Sequence, residues 1–109
     1  MYRPCMLERI VLLLLNNAGD NEVTVPAVAQ VCNCLDKRYG LNMHVKNQME
    51  NIVARLVNEQ WVRPMRLALE LSPDGRTVAM GLQQKAPAFY KAIVSSACRI
   101  SPVFRPQEA

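Results

Sequence analysis

The stretch "LELSPDGRTVAM", residues 69–80, admits two incompatible structures, and the fold turns on which one forms. As a hairpin turn, Pro73 fits the second position, Gly75 supplies a left-handed residue, and Val78, Met80 and Leu82 alternate as a strand would. As a helix start, Ser72 is a preferred N-cap, Pro73 a preferred first residue, and Asp74 complements the positive helix end. Downstream, Val78, Ala79, Leu82, Ala86, Phe89, Ile93 and Ala97 recur at three-to-four spacing, which favours the helix. That stripe crosses Pro87, which would kink or split it, and Gly75 and Gly81 each weaken a helix by about 1 kcal/mol. Local pattern leaves both structures open.

Upstream the signals are clearer. Leu7, Ile10, Val11, Leu14 and Leu15 predict a helix over Leu7–Asn17, apolar nearly all round and so well buried. "NNAGDNE" follows as a loop, then Glu22-Val23-Thr24-Val25 as a short strand. Pro26 suits the first turn of a second helix over Ala27–Tyr39, with Val28, Val31, Cys32 and Leu35 inward and Lys37 and Arg38 at its negative end. Gly40 ends that helix. A third helix runs from Met43 or His44 to Asn58, with Val45, Met49, Ile52, Val53 and Leu56 as its apolar stripe. Trp61-Val62-Arg63 begins an extended segment, and Arg63–Arg66 reads as a tight connection built on Pro64. Leu67, Leu69 and Leu71 then alternate with polar or small residues, the period of a half-buried strand.

The chain has 109 residues, half of them apolar, enough for one domain with a core that needs no staples. The net charge is +4 and the pI near 9.1, a mild basic bias that permits a polyanionic partner without demanding one. "IVLLLLNNAG" is too short to span a bilayer and lacks the layout of a secretory leader. These features imply a cytoplasmic protein with no membrane partner, and its cysteines, Cys5, Cys32, Cys34 and Cys98, are expected as reduced thiols.

The run "ARLVNEQWVRPMRLALELSPDGR" resembles winged helix–turn–helix transcription regulators. In that family the third helix ends, a short wing follows, and a Leu-Thr/Ser-x-x-Gly-Arg phrase opens the next helix. Leu71, Ser72, Gly75 and Arg76 stand at those positions, with Gln60 where many members have glycine. The resemblance selects the helix over the turn for residues 72 onward. It implies an α+β fold: a winged helix–turn–helix of three helices and a short β-wing over residues 1–85, a C-terminal helical extension over 86–99, and a tail over 100–109. It also implies sequence-specific binding of double-stranded DNA by a small transcription regulator.

On that reading the helix from His44 to Asn58 enters the major groove, which admits one α-helix. His44, Asn47 and Asn51 lie on its polar face, flanked by Gln48 and Arg55 on one side and Lys46 on the other. Carboxamides of Asn47, Gln48 and Asn51 can bond adenine edges, while Lys37, Lys46 and Arg55 suit phosphates. Arg63 and Arg66 are placed at the wing tip. A solvated face of any amphipathic helix looks similar, and Glu50 would oppose phosphate. The competing expectation is a winged-helix assembly module that binds protein and not DNA. The stripe from Leu82 to Ala97 could form a homodimer or pack on the first helix of its own chain.

Other chemistry has little basis. Cys32-x-Cys34 with His44 is one close pair, and residues two apart on a helix point about 200° apart, so no metal or other cofactor is expected. Cys32 falls on the apolar stripe and reads as core. With a single histidine, no nucleophile beside a base and no glycine-rich phosphate loop, the chain is not expected to be an enzyme.

Overall fold

The computed structural model describes residues 3–104. The fold is α+β, with five helices and a small antiparallel sheet: α1 (Met6–Ala18), β1 (Val23–Thr24), α2 (Val25–Tyr39), α3 (Val45–Asn58), β2 (Val62–Met65), β3 (Ala68–Leu71), α4 (Pro73–Lys85), α5 (Pro87–Ile100) and a terminal 3-10 turn, Pro102–Phe104. Strand order is β1-β3-β2, both pairings antiparallel.

α1 is the hub. Leu7, Ile10 to Leu15 and Ala18 are all buried, because α2, α3, α4, α5, β3 and the terminal turn pack around it. Its first turn is closed by Glu8, whose Oε1 accepts the Cys5 N–H at 3.0 Å. α2 starts where Thr24 Oγ1 accepts the Ala27 N–H at 3.3 Å, with Pro26 in the first turn, and ends at left-handed Gly40.

The opening stretch is a helix start. Ser72 Oγ accepts the Gly75 N–H at 3.0 Å and donates to the Gln60 carbonyl at 2.5 Å, while the Ser72 N–H bonds the Trp61 carbonyl at 2.9 Å. Gly75 is needed here for closeness rather than freedom of φ. A Cβ on it would sit 1.9 Å from the Trp61 carbonyl oxygen. Residues 76–82 are therefore helical, and the strand alternative for Val78, Met80 and Leu82 is excluded. The helix splits before Pro87, with Ala86 at φ −139° and ψ 68°, as the residue before a proline is pushed out of the helical region.

Three expectations need correction. The turn between the last two strands is Arg66-Leu67, not Arg63–Arg66: Arg63, Pro64 and Met65 belong to β2, paired with Glu70, Leu69 and Ala68. β2 is an outer strand, where a residue without an N–H is tolerated, so Pro64 extends the strand and does not turn it. Leu67 is accordingly not part of a half-buried strand; it lies in the turn, 81% exposed. The tail expected over 100–109 begins instead with the last residue of α5 and a turn that buries Phe104 completely. Asn17 Nδ2 donates to the Phe104 carbonyl at 2.5 Å and Asn21 Nδ2 to the Val103 carbonyl at 2.9 Å, so α1 and its loop hold this segment down. Residues 105–109 of that stretch lie outside the described residues.

The inner part of the C-terminal stripe is used within the chain. Ile93 and Ala97 join the common core, where α5 meets α1 and α2, and Tyr39 Oη and Ser96 Oγ lie 3.0 Å apart.

Candidate nucleic-acid interface

α3 buries Val45, Met49, Ile52 and Leu56, spaced four, three and four apart, so they form one stripe on the core side. Every candidate contact residue points away from it. His44, Lys46, Asn47, Gln48, Asn51 and Arg55 are all exposed, as are Glu50 and Asn58. At 100° per residue, Asn47, Asn51 and Asn58 cluster opposite the buried stripe around Ala54. Arg55 and Gln48 flank them on one side, Lys46 and Glu50 on the other. The face thus offers carboxamides at its centre and cations at its edges.

The start of α3 is set by an unusual connection. Gly40, Asn42 and His44 all adopt left-handed backbone, at φ 60°, 55° and 51°. Asp36 organises it: its Oδ1 accepts the Met43 N–H at 3.0 Å, and its carbonyl accepts the Leu41 N–H at 3.3 Å. Met43 is buried and anchors the connection to the core. His44 is the N-cap of α3 without a side-chain capping bond; its carbonyl takes the Asn47 and Gln48 N–H groups at 3.1 and 3.0 Å. A non-glycine residue held left-handed costs roughly 1 kcal/mol, and two occur within three residues at the mouth of this helix.

α3 ends in a Schellman motif centred on Gln60, at φ 64°. The Gln60 N–H reaches the Val57 carbonyl at 2.9 Å, and the Trp61 N–H reaches the Leu56 carbonyl at 3.1 Å. The chain then enters β2, which packs on α3. Arg63 and Glu70 are direct cross-strand neighbours, so the arginine's charge is opposed locally. Arg66 occupies the first turn position with φ 58°, exposed, beside Leu67. Lys37, in the last turn of α2, is exposed as well. Sequence reasoning placed the arginines on the hairpin but missed Met65 and Leu67 as exposed apolar groups at its end. A two-residue turn containing neither glycine nor asparagine gives no local signal.

A cleft of about 580 Å³ opens where the α1–β1 loop meets the back of the hairpin. Leu15, Val23 and Leu69 contribute apolar lining, while Asp20, Glu22 and Glu70 oppose Arg66 and Arg76. Its charges are mixed and select no one ligand charge.

The cysteines carry free thiols. Cys32 is fully buried, and desolvation, reinforced by the Asp36 carboxylate, pushes its thiol up from 9.0 to about 12. It is protonated and inert at neutral pH. Cys34 is exposed. Among the described residues no group of three or more His, Cys, Asp or Glu side chains is placed to hold a metal ion, and no helix is long and apolar enough to cross a membrane. Comparison with family models, with curated proteins and with solved structures returns no match.

Proposed function

We propose that this chain is a winged helix–turn–helix domain that binds double-stranded DNA, with α3 in the major groove and the β2–β3 hairpin as its wing. The observation that carries the reading is the order of elements: helix, strand, helix, helix, then a hairpin whose second strand pairs with the first strand of the chain. In that order α3 carries its polar face outward and β2 packs on α3. Asn47, Gln48 and Asn51 are the candidates for base edges, and Lys46, Arg55 and Arg66 for phosphates. His44 sits at the leading end of the helix. Arg63 contributes less, because Glu70 lies opposite it. The role proposed for such binding is that of a small transcription regulator, and thiols outside any disulfide suit a reducing, cytoplasmic setting.

The second reading, a protein-binding winged helix, draws on Glu50 within the α3 face and on the exposed apolar hairpin tip. Two-fold dimerisation is compatible with either reading, but Ile93 and Ala97 of the C-terminal stripe are buried within the chain and would not take part.

Retention on random duplex DNA, followed against salt, tests the proposal. Binding should weaken linearly in log–log form with a slope near −0.9 per phosphate contact. An Arg63→Ala/Arg66→Ala variant should flatten that slope by about one to two contacts. No retention at low salt overturns the DNA reading; an unchanged slope in the variant removes the hairpin from the interface.

A further inference from the structure

The exposed face of α3 is chemically unlike an ordinary solvated helix face. Asn47, Asn51, Ala54 and Asn58 are all exposed, and at 100° per residue they fall within about 60° of arc, opposite Val45, Met49, Ile52 and Leu56. Lys46 and Glu50 lie toward one edge, Gln48 and Arg55 toward the other. Asparagine is a poor helix former, because its carboxamide competes for nearby backbone groups. Lysine, glutamate or glutamine would solvate this face and favour the helix. Three asparagines on it go against local preference, and such departures concentrate where a site is built. The carboxamides of Asn47 and Asn51 are also unengaged: among the described residues neither makes a side-chain hydrogen bond. Asn17 and Asn21 show the contrasting use, each holding a carbonyl of the C-terminal turn.

We infer that Asn47 and Asn51 each read an adenine, so that the duplex this chain selects carries A·T pairs where α3 meets the major groove. This rests on the DNA-binding reading and names the base pairs it recognises. Adenine presents N7 as an acceptor and N6–H as a donor at that edge. One carboxamide meets both, its Nδ2 donating to N7 and its Oδ1 accepting from N6. Guanine presents two acceptors, O6 and N7, so the same side chain would leave its Oδ1 desolvated without a donor. The side chains that suit guanine are arginine and lysine, and α3 carries Arg55 and Lys46 toward its edges, not at the centre. Ala54, on the same arc as the asparagines, offers a methyl group of the kind that packs on the thymine methyl. Asn47 is the third residue of α3, and both asparagines lie in its leading half, the part a recognition helix turns to the bases. They stand one turn apart, about 6 Å along the axis, which matches a separation of about two base-pair steps.

The test compares two short duplexes with the same flanks, one with a core of A·T pairs and one with inosine·cytosine pairs in their place. Inosine·cytosine keeps the minor-groove acceptors of A·T but shows the major-groove pattern of G·C, so the comparison isolates the major-groove edge. In competition at one salt concentration, wild-type protein should prefer the A·T core by roughly fivefold or more, the discrimination of one good bidentate pair. Asn47→Ala and Asn51→Ala, exposed changes that favour the helix, should each shrink that preference and leave the salt slope unchanged, because neither side chain carries charge. Arg55→Ala should do the reverse, flattening the slope and keeping the preference. Equal affinity for the two cores, or a preference for inosine·cytosine, overturns the inference and leaves DNA binding standing. A preference that survives in an Asn47→Ala/Asn51→Ala variant removes both residues from base recognition and overturns it as well. No retention of either duplex at low salt overturns the DNA reading and the inference with it.

Discussion

Alanine at Gly75 and alanine at Gly81, two glycines of the same helix, should shift stability in opposite directions. In an exposed helix interior, Gly→Ala is worth up to about 1 kcal/mol of added stability. Gly81 has nothing within 4 Å of a new Cβ, so it should show that gain. Gly75 is buried, and its new Cβ would lie 1.9 Å from the Trp61 carbonyl oxygen, 2.8 Å from the carbonyl carbon and 3.0 Å from the Cα. All three are backbone atoms that cannot rotate away. Restoring an ordinary 3.4 Å contact requires about 1.5 Å of movement (3.4 less 1.9) between the start of α4 and the segment before β2. That movement breaks the Ser72 N–H bond to the Trp61 carbonyl and strains the Ser72 Oγ bond to the Gln60 carbonyl, now 2.9 and 2.5 Å. Two hydrogen bonds at about 1 kcal/mol each, and overpacking at about 1–3 kcal/mol, outweigh the propensity gain and leave Gly75→Ala roughly 2–4 kcal/mol less stable. Urea unfolding followed by the single tryptophan, Trp61, and by circular dichroism reads both variants. Gly75→Ala as stable as the parent, or both variants shifted alike, would refute the close-approach argument.

Three further outcomes follow from particular residues. Gln60→Gly should stabilise the fold by about 0.5–1 kcal/mol, since Gln60 is left-handed at a helix end where glycine bears no Cβ penalty; a loss of stability in the same urea assay would contradict this. Because Cys32 is raised from 9.0 to about 12, both states hold its proton below about pH 9, and above that the unfolded chain ionises first, so stability falls as pH rises toward 12. Cys32→Ala should show a shallower alkaline fall than the parent, and in the native protein Ellman's reagent should label exposed Cys5 and Cys34 promptly and Cys32 only on unfolding; prompt labelling of all four thiols counts against the burial. Asp36→Ala should release the Met43 N–H and cost about 1–2 kcal/mol, with amide exchange faster across residues 41–45, while Asp36→Asn, which keeps an acceptor, should lose less; unchanged exchange in the alanine variant would remove Asp36 as the organiser of that connection.

Helices were legible wherever an apolar stripe repeated: α1, α2 and α3 lie within two residues of their sequence bounds, because burial on one face leaves a periodic trace. The Ser72 cap was only half legible: Ser72-Pro73-Asp74-Gly75 suits a cap and a turn equally, and the family resemblance, not the local pattern, favoured the helix that forms. The second role of Gly75 was not legible, for its partner, Trp61, stands fourteen residues away, and close approach leaves no mark on nearby sequence. The hairpin turn was misplaced because Pro64 is equally at home in a turn and in an outer strand, and only pairing with β3 distinguishes them. The burial of Phe104 was hidden in a proline-rich, polar stretch whose anchors, Asn17 and Asn21, lie at the other end of the chain. In the candidate site, the exposed face of α3 could be read from its amphipathic pattern. The left-handed residues Asn42 and His44 that aim it could not, because neither carries a glycine's signature.

On the proposed reading, α3 and the end of the β2–β3 hairpin together meet duplex DNA. Amide chemical-shift mapping with a short duplex at low salt tests it most directly. Shifts should concentrate at His44–Arg55 and Met65–Leu67, with α5 unperturbed. Shifts confined to α4 and α5, or no shifts at all, would contradict it.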